Sequence, residues 1–373
     1  MSATRYISKG LPDWAALLKD YPFLAEMADC PQDPEWHAEG NVRVHAEMVC
    51  QELHDLPAYQ ELSKDDQETL MLAAAFHDNG KTLTTVEENG RLVSPRHASA
   101  GARRLRYWWW QNGCPFPLEK REQILNLVRY HATPVHFFVR GNPEAAVIER
   151  SYSVRNDLLG ILAEADMRGR KGHADSIFEA IASCQLYLLQ AEELGCLTTP
   201  WPFANDHARF CFGRSEKKDY RHHAFDDREF TVTVGAGLPG AGKSTFMDGL
   251  DMPIVSLDQL RHDLDVDPRD NQGEVVQAAF AKARELLRLK KPFAWDATNL
   301  TRIQRDGIIQ LGQAYGARFD LHWFDADRAT CLKRNRKRAG DAKLPEAVLE
   351  RLAGKIDFPT YLEVHRLEIR EAT

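Results

Sequence analysis

The feature that most restricts the fold is a contiguous glycine-rich motif at residues 237–244. It reads GLPGAGKS and matches the pattern G-x-x-x-x-G-K-S/T. This pattern has its function between a strand and a helix, where the backbone amides of the loop surround phosphate oxygens. A β-rich run, Phe230–Ala236, precedes the motif. The sequence therefore predicts an α/β domain with a parallel sheet built around this loop.

The residue types of this motif predict how a nucleoside triphosphate is held. The glycines allow the backbone to approach the phosphates, Lys243 reaches the β/γ oxygens, and Ser244 can hold Mg²⁺. The helix that begins there adds the positive end of its dipole. The nucleotide-binding residues assigned in this segment are Gly237, Gly240, Gly242, Lys243, Ser244 and Thr245.

The chain has 373 residues, more than one ordinary domain of about 150 residues. Apolar residues recur at helical spacing up to about residue 200, and strand-like and helical runs alternate from residue 230. We predict an all-α domain over 1–212, a linker over 213–228 and an α/β domain over 229–373. The predicted helices of the first half are Trp14–Leu24, Val42–Leu53, Leu70–Phe76, Ile124–His131, Leu158–Asp166 and Ile177–Leu194. The predicted strands are Phe230–Ala236, Pro253–Leu257, Pro292–Trp295 and Ala317–Phe324.

Composition excludes several classes of protein. The 48 Lys and Arg residues against 55 Asp and Glu give a formal charge of −7, which argues against a protein that coats nucleic acid. The longest apolar run, Leu70–Phe76, is too short for a bilayer, and the N-terminal residues predict no secretory signal. Seven scattered cysteines without a CxxC pair suit free thiols in a reducing compartment. We therefore expect a cytoplasmic protein without a membrane partner.

A carboxylate and an arginine follow the second predicted strand. Asp258 comes directly after Pro253–Leu257, and Arg261 comes about one helical turn later. A carboxylate at the C-terminal end of a strand beside the P-loop strand lies where ligands bind in such sheets. Asp258 can then accept the proton of an attacking hydroxyl, and Arg261 can hold an acceptor phosphate. The alternative is that Asp258 only caps the following helix.

Two more segments of this half carry candidate groups. Asp296 ends the third predicted strand and can be a metal-associated or orienting carboxylate, whereas Thr298 and Asn299 can be helix caps. Lys333–Arg338 places five cations in six residues. Such a run is usually a solvated face, but opposite a P-loop it also has the composition of a lid that stabilises a transferring phosphoryl group.

These elements, in this order, resemble the phage-type polynucleotide 5′-kinases. The resemblance rests on the P-loop, Ser256-x-Asp258-x-x-Arg261, Asp296-x-Thr298-Asn299 and the Lys333–Arg338 run followed by Leu344-Pro345. It implies that Lys243 and Ser244 bind the phosphates and the metal, that Asp258 is the general base and that Arg261 contacts the nucleic-acid phosphate. It makes Arg334 and Arg338 lid arginines that bind the nucleotide, with Arg338 and Lys243 catalytic. The family's separate acid-phosphatase domain is absent.

The first half places ionisable residues on apolar helix faces. His45, His77, His131 and Asp166 are each in phase with apolar neighbours at i±3, i±4 or i±7, so each should point at the core. A lone histidine in such a position is usually a hydrogen-bonded core residue. Several imidazoles and carboxylates buried together each carry a desolvation cost of several kcal/mol unless they share a cation. Donors without thiolates suit Mn, Fe, Co, Ni or Zn.

The order His45, His77-Asp78, Asp166 resembles the HD phosphohydrolase superfamily, and the resemblance supplies a helix-end geometry that periodicity does not. His97 and His131 fall between the HD pair and the last aspartate, as in members that hold two metal ions. The implied metal ligands are His45, His77, Asp78, His97, His131 and Asp166, with Asp78 also catalytic. By the same resemblance Lys81 could bind the scissile phosphate and is also assigned as catalytic. His37 and His136 are candidates for substrate contacts or are surface histidines.

The segment from Arg103 to Trp110 has two interpretations. Arg103, Arg104 and Arg106 beside Tyr107 and Trp108–Trp110 could form a base-stacking and phosphate-binding patch. Alternatively, the tryptophans belong to the core and the arginines lie on the opposite helix face. We favour the core for at least two of the three tryptophans.

The combination of both halves is similar to the bacterial HD-Pnk RNA end-healing enzymes. The resemblance implies that the first domain removes 2′,3′-cyclic phosphate and 2′/3′-phosphate ends with one or two transition-metal ions such as Mn, Ni, Co or Fe. It implies that the second, with Mg and ATP or another NTP, phosphorylates 5′-hydroxyl ends of RNA or possibly DNA for a nucleic-acid ligase. The cations Lys243, Arg261 and Lys333–Arg338 concentrate positive charge at the kinase site, so a net charge of −7 is compatible with an enzyme that handles ends.

Two other functions stay open at this stage. In one, the HD half is a regulatory nucleotide-binding module that does not hydrolyse, and only the kinase is active. In the other, both halves process small nucleotides. The sequence alone, without the resemblance, supports a metal-dependent phosphohydrolase joined to a P-loop kinase.

Overall fold

The structure of this chain is a computed structural model that describes residues 3–139, 141–267, 270–338 and 343–372. The chain divides into two compact units. The first unit comprises residues 1–109 and 114–202, and the second comprises residues 110–113 and 203–373. No helix of the described ranges is long and apolar enough to cross a membrane.

The first unit is helical. Its helices are α1 Trp14–Asp20, α2 Val42–Asp55, α3 Pro57–Gln60, α4 Lys64–Phe76, α5 Lys81–Thr84, α6 His97–Asn112, α7 Leu118–Tyr130, α8 Thr133–His136, α9 Pro143–Ser151, α10 Asn156–Arg168 and α11 Ala174–Glu193. Short 3₁₀ turns occur at Ala3–Tyr6, Pro22–Ala28 and Phe137–Val139. Two antiparallel ribbons pair β1 Ile7–Ser8 with β2 Leu11–Pro12 and β3 Val86–Glu88 with β4 Arg91–Val93.

Two helices form the centre of this unit. Every residue of α4 from Thr69 to Phe76 is buried, and most of α10 is buried as well. A helix that is apolar on all sides requires neighbours on all sides, and α2 and α7 pack on α4 while α2, α7 and α11 pack on α10. The C-terminal end of α4 is therefore enclosed, which puts the residues that follow it in the core.

The second unit is an α/β domain. Its elements are α12 Asp206–Arg214, β5 Thr231–Gly237, α13 Lys243–Met247, β6 Ile254–Ser256, α14 Leu257–Asp263, α15 Gly273–Arg288, β7 Phe293–Asp296, α16 Arg302–Gln313, β8 Arg318–Asp325, α17 Arg328–Arg336, α18 Glu346–Ala353 and β9 Arg366–Glu371. Within the described ranges, five strands form one sheet in the order β6-β7-β5-β8-β9, and every pair is parallel. The carboxyl ends of the strands therefore meet at one edge.

The strand order corrects one sequence-based expectation. Asp258 was expected on a strand beside the P-loop strand, but β7 lies between β5 and β6. The strand that pairs directly with β5 is β7, which ends in Asp296. Asp258 itself belongs to the first turn of α14, after β6 has ended. Strand order is set by long-range packing, and the sequence gives no direct signal for it.

Each predicted helix and strand corresponds to an observed element, but α4 and α7 begin six residues earlier than predicted, and the helices α6, α9 and α12 were not predicted. The two ribbons of the first unit were not predicted, so that unit is helical but not purely α. The strand β9 was also missed, because its sequence RLEIRE is mostly charged. An edge strand can carry polar side chains at its exposed positions, and its composition then does not indicate a strand.

The predicted linker over 213–228 is instead packed within the second unit. Arg214 pairs with Asp306, and Asp226 pairs with Arg318. The preceding helix α12 also belongs to this unit, and the division falls between Pro202 and Phe203. The polar composition of this stretch reflects ion pairs on the α/β domain rather than a free connection.

Candidate active sites

The predicted ligands of the first unit come together around the residue after α4. His77 is the C-cap of α4, and Asp78 lies in the turn that follows it. The change of direction at the helix end lets these neighbours face the same space, which a regular helix would not allow. His45 from α2 and Asp166 from α10 complete the surroundings, with His45 Nε2 3.0 Å from Asp166 Oδ1. Each of these four residues is at most 1% exposed, as periodicity predicted for His45, His77 and Asp166.

Asp78 lies between two groups of possible metal ligands. One group is His45, His77 and Asp166, and the other is Asp78 with His97 and His131. The Asp78 carboxylate oxygen Oδ2 lies 3.6 Å from His45 Nε2 and 3.3 Å from His77 Nε2. Its other oxygen, Oδ1, lies 3.3 Å from His97 Nε2 and 3.9 Å from His131 Nε2. One carboxylate can therefore contribute to both groups.

Three of the histidines have a fixed orientation. The Nδ1 atoms of His77, His97 and His131 lie 2.7, 2.9 and 2.8 Å from the backbone carbonyl oxygens of Ala74, Ser94 and Val128. A carbonyl only accepts, so Nδ1 carries the proton and Nε2 presents its lone pair to the cluster. This is the tautomer that a metal ligand needs.

The chemistry of this donor set fits a divalent transition metal. His77 Nε2 is buried without a hydrogen-bond partner within the described residues, although the Asp78 carboxylate is near it. Burial lowers the pKa of His131 to about 3, so its ring stays neutral and able to bind a metal. Burial would raise the pKa of Asp78, but Lys81 and His77 outweigh it and hold this pKa well below its usual range. Imidazole nitrogens and carboxylate oxygens without thiolates suit Mn, Fe, Co, Ni or Zn.

Two glycines allow the helix that carries His97 to reach this centre. A Cβ atom on Gly80 would lie 2.1 Å from the His97 carbonyl oxygen, and one on Gly101 would lie 2.8 Å from Asn79 Nδ2. The first turns of α6 therefore pack directly on the backbone that follows Asp78. Gly80 and Gly101 thus permit close packing of α6 on the segment that follows α4.

The remaining predicted residues of this unit have different environments. Lys81 is buried, and its Nζ lies 2.7 Å from both Asp78 Oδ2 and Gln32 Oε1. His37 is also buried, 4.9 Å from the His45 ring between centroids, so its interpretation as a surface histidine is wrong. His136 is exposed, which agrees with a surface histidine.

Two residues beside the cluster were missed by sequence reasoning. Arg170 donates to both oxygens of Asp166, at 3.2 and 3.1 Å. Glu39 is fully buried and touches His37 and His45. Both lie in turns outside the helices, where no periodicity identifies a buried side chain. Glu39 had one signal, since an acidic residue between His37 and His45 is a possible partner for either.

The arginine–tryptophan segment is mostly core. Trp109 and Trp110 are 2% and 9% exposed, and Trp108 Nε1 donates to the Asp20 carbonyl. Arg106 makes two hydrogen bonds to Glu122, and Arg104 pairs with Glu26. These contacts confirm the core interpretation and leave no stacked patch of free arginines in this segment.

In the second unit, the P-loop has the conformation that its glycines permit. Gly237, Gly240 and Gly242 all have positive φ, at 144°, 86° and 113°. Lys243 is buried, and its Nζ donates to the carbonyl oxygens of Gly237 and Leu238. Burial lowers the pKa of Lys243 to about 8. The helix α13 has only five residues, so the loop amides contribute more to phosphate binding than the helix dipole does.

A hydroxyl and a carboxylate face each other at the end of the loop. Ser244 Oγ donates to Asp296 Oδ2 at 3.2 Å, where Asp296 is the last residue of β7. Burial raises the pKa of Asp296. A hydroxyl oxygen and a carboxylate oxygen at this position match the way P-loop proteins hold Mg²⁺. Thr245 is exposed beside them.

Thr298 and Asn299 are not helix caps. The cap of α16 is Thr301, which makes a capping box with Gln304. The Thr298 carbonyl accepts from the Gly237 amide, and Asn299 Nδ2 donates to the Gly235 carbonyl at 2.7 Å. Both residues attach the segment after β7 to the P-loop strand.

Asp258 and Arg261 line the same cavity as the P-loop. The cavity has a volume of about 300 Å³, and Lys243, Ser244, Asp296 and Arg338 also line it. Arg261 Nη1 lies 2.5 Å from Asp258 Oδ1, and the Asp258 side chain is 79% exposed. The N-cap of α14 is Ser256, not Asp258. The capping interpretation of Asp258 is therefore wrong.

The cationic run divides into two sets. Lys333, Arg336 and Lys337 are exposed, as expected for a solvated face. Arg334 donates to the P-loop carbonyl oxygens of Gly240 and Ala241 at 3.1 Å each, and Arg338 lines the cavity. Arg334 and Arg338 are thus the members of this run that lie beside the P-loop or its cavity.

Two comparisons with known proteins bear on these sites. A family model described as "AAA domain" matches residues 232–359, which include the P-loop. The chain is 27% identical over 237 residues to the multifunctional CCA protein of Laribacter hongkongensis (strain HLHK9), and the match covers 56% of this chain and 52% of that protein. The chain thus spans about half the length of the curated relative it matches. The family match and the cavity geometry together support a nucleotide-binding P-loop domain of the kinase type.

Proposed function

We propose that this protein is a bifunctional enzyme that heals the ends of broken RNA. The first unit would remove 2′,3′-cyclic phosphate and 2′/3′-phosphate groups, and the second would transfer the γ-phosphate of an NTP to a 5′-hydroxyl. The observation that carries this proposal is the presence of two separate sites whose side chains suit phosphoryl chemistry. One is the histidine–aspartate cluster around Asp78, and the other is the cavity that holds Lys243, Ser244, Asp296 and Asp258.

In the first unit, His45, His77 and Asp166 would hold one cation, and His97 and His131 would hold a second, with Asp78 between them. A bound divalent cation supplies Lewis acidity and lowers the pKa of its water towards 7. Lys81 Nζ, 2.7 Å from Asp78, adds positive charge for the phosphoryl oxygens. With a 2′,3′-cyclic phosphate, a first water would add to phosphorus, one P–O bond to the sugar would break and that sugar oxygen would take up the proton the water gives up, which leaves a phosphomonoester. A second water would break the remaining P–O bond in the same way and release inorganic phosphate.

In the second unit, the γ-phosphate would pass to a hydroxyl held beside Asp258. The carboxylate of Asp258 accepts the hydroxyl proton as the new P–O bond forms and the bond to the β-phosphate breaks. Lys243 holds the phosphates, and Ser244 with Asp296 would hold Mg²⁺. Arg334 and Arg338 offset charge on the transferring group. Arg261 is available for the acceptor phosphate because it lies in the same cavity as Asp258.

The buried ligand set favours hydrolysis over a purely regulatory first unit. A module that only senses a nucleotide does not need the ligand atoms of His45, His77 and Asp166 gathered within 4.8 Å. Desolvating these groups without a cation is costly. The two reactions leave a 3′-hydroxyl and a 5′-phosphate, which are the ends that a nucleic-acid ligase joins.

The test separates the two centres with two RNA substrates. One RNA carries a 5′ label and ends in a 2′,3′-cyclic phosphate, and the other has a 5′-hydroxyl and is offered ATP labelled in the γ-phosphate. His77→Ala should abolish phosphate removal and leave phosphorylation unchanged. Asp258→Ala should do the reverse, and Lys243→Ala should behave like Asp258→Ala.

The outcomes distinguish the proposal from its rivals. Loss of both activities from any one of these substitutions would contradict two independent centres. Turnover of mononucleotides without activity on either RNA would favour a small-nucleotide enzyme. Phosphorylation without phosphate removal by the metal-loaded wild type would favour the regulatory role of the first unit.

A further inference from the structure

His45 differs from the other histidines of the cluster in how its ring is held. The Nδ1 atoms of His77 and His131 use the carbonyls of Ala74 and Val128, which lie in the last turns of α4 and α7. Carbonyls in the last turn of a helix have no intrahelical partner and are free to accept. His45 lies inside α2, whose carbonyls are used by the helix itself. Its ring therefore needs an acceptor from elsewhere in the chain.

A carboxylate oxygen of Glu39 lies beside the ring nitrogen Nδ1 of His45. The Glu39 side chain is 0% exposed, and its Oε1 lies 3.0 Å from His45 Nδ1 and 2.7 Å from His37 Nδ1. The His45 contact is bent rather than a straight hydrogen bond, and His45 Nδ1 has no hydrogen-bond partner within the described ranges. The other Glu39 oxygen accepts the Lys171 amide at 2.9 Å. The carboxylate thus faces three nitrogens.

We propose that Glu39 is a positioning residue that holds the His45 ring with Nε2 directed at Asp166 and Asp78. A carboxylate only accepts, so a neutral His45 carries its proton on Nδ1 and keeps the Nε2 lone pair for a cation. This inference rests on the proposed metal centre of the first unit and adds a residue from outside its sequence motif. Glu39 also belongs, with His37 and His45, to a third group of possible metal ligands, and the proposal assigns it the role of holding the His45 ring. Among the described residues, Glu39 makes no contact with His97 or His131, the two histidines of the second group.

A carboxylate at position 39 can accept from all three nitrogens, those of His37, His45 and the Lys171 amide, whereas an amide cannot. A glutamine at this position has one accepting oxygen and one donating nitrogen. If its oxygen faces the two histidines, its nitrogen faces the Lys171 amide; if its oxygen faces Lys171, its nitrogen faces both Nδ1 atoms. The isosteric amide therefore cannot satisfy all three groups, although it fills the same volume.

The experiment uses the full-length apoprotein titrated with Co²⁺ alone, followed by calorimetry and by the visible absorption of bound cobalt. The variants are Glu39→Gln, which keeps the volume and loses the second acceptor, and Glu39→Asp, which keeps both acceptors and loses a methylene. Glu35→Gln is the matched control, because Glu35 is partly exposed and pairs with Arg91. Melting of each apoprotein verifies that the variant is folded.

We expect Glu39→Gln to weaken one cobalt site about 10- to 100-fold and to change its absorption spectrum, while the other site is unchanged. Glu39→Asp should fall between Glu39→Gln and the wild type, and Glu35→Gln should match the wild type. The reverse order, with Glu39→Asp weaker than Glu39→Gln, would mean that Glu39 only fills space and would overturn the proposal. Equal affinity of Glu39→Gln and wild type would also overturn it. A wild type that binds no cobalt would instead contradict the metal centre itself.

Discussion

The two candidate sites both suit phosphoryl chemistry, but they are built in opposite ways. The site of the first unit consists of buried side chains from distant parts of the chain, and His45 and Asp166, which touch, are 121 positions apart. The site of the second unit begins with a contiguous loop, residues 237–244, whose backbone provides the cradle. The first depends on tertiary packing to exist, whereas the second is largely specified by local conformation.

This difference has a consequence for how each site can fail. In the first unit, Asp78 lies between the two ligand groups and is near all four histidines of the cluster. In the second unit, the proposed roles of Lys243, Ser244, Asp258 and the two arginines Arg334 and Arg338 concern separate parts of the nucleotide and the acceptor. Substitution of Asp78 should therefore impair both ligand groups of the first site, whereas each substitution in the second site should remove one kind of contact.

The largest expected effect is that of Asp78→Asn. Losing the central carboxylate charge should remove both metals and lower the rate of phosphate removal by about 10³-fold or more, with phosphorylation unchanged. Metal content after dialysis and the rates with both RNA substrates measure this. Asp65→Asn is the control, since that carboxylate is exposed and pairs only with Lys120 among the described residues. A variant that retains one tightly bound metal and most of its activity would break the contrast with the second unit.

The next largest effects are expected from replacing Gly80 in the first unit and Gly242 in the second unit by alanine. In Gly80→Ala the new methyl group would meet the His97 carbonyl oxygen, which is backbone and cannot move away alone. Overpacking of this kind costs about 1–3 kcal/mol or more, and it should displace α6 and weaken the His97–His131 metal site. Calorimetric unfolding of the apoprotein and cobalt titration measure the two effects.

Gly242→Ala is the matched substitution in the second unit. Its cost is conformational, because φ is 113° at this position while the nearest neighbour, Arg334 Nη1, is 3.4 Å from a built Cβ. We expect about 1–3 kcal/mol of local strain, loss of ATP binding and unchanged cobalt binding in the first unit. If Gly80→Ala left cobalt binding intact, the close packing at Gly80 would not be needed to place His97 in the metal site.

The same contrast explains which parts could be predicted from the sequence. The P-loop and the burial of His45, His77 and Asp166 follow from local spacing, and both are visible without a structure. The sequence could not show that β7 separates β6 from β5, because strand order arises from contacts between residues far apart. It also could not show that Glu39 and Arg170 reach the cluster, since turn residues carry no periodic signal.

The cap assignments show a related limit. Sequence reasoning considered Asp258, Thr298 and Asn299 as caps, but the caps are Ser256 and Thr301. Ser, Thr, Asp and Asn are all good caps, so the residue type alone does not decide between neighbours. The exact start of the helix decides which residue is the cap. Here the cap is Ser256, and Asp258 lines the cavity instead.

The smallest effect concerns a buried histidine that lies outside both candidate sites. In the second unit, His365 stacks on Phe210, contacts His207 Nδ1 at 3.0 Å and accepts the Phe319 amide through Nδ1. Burial, with a further contribution from Arg318, lowers the pKa of His365 to about 3, against about 6.5 in the unfolded chain. Between these values the unfolded chain binds a proton that the native chain does not. Stability is therefore lost as the pH falls from 6.5 towards 3.

We expect His365→Phe to lower stability at pH 7.5, because the Phe319 amide loses its acceptor, but also to weaken the dependence on pH. The difference in slope should be roughly 1 kcal/mol per pH unit below pH 6.5, since one pKa unit corresponds to about 1.4 kcal/mol. Hydrogen exchange of peptides from β8 and β9 reports on this unit alone, and His262→Phe, at an exposed histidine, is the control. An unchanged slope would mean that His365 is protonated in the native state. In that case burial alone would not keep a histidine of the second unit neutral, although none of the possible metal-ligand groups among the described residues includes it. Neutral buried rings would then be a property of the cluster in the first unit.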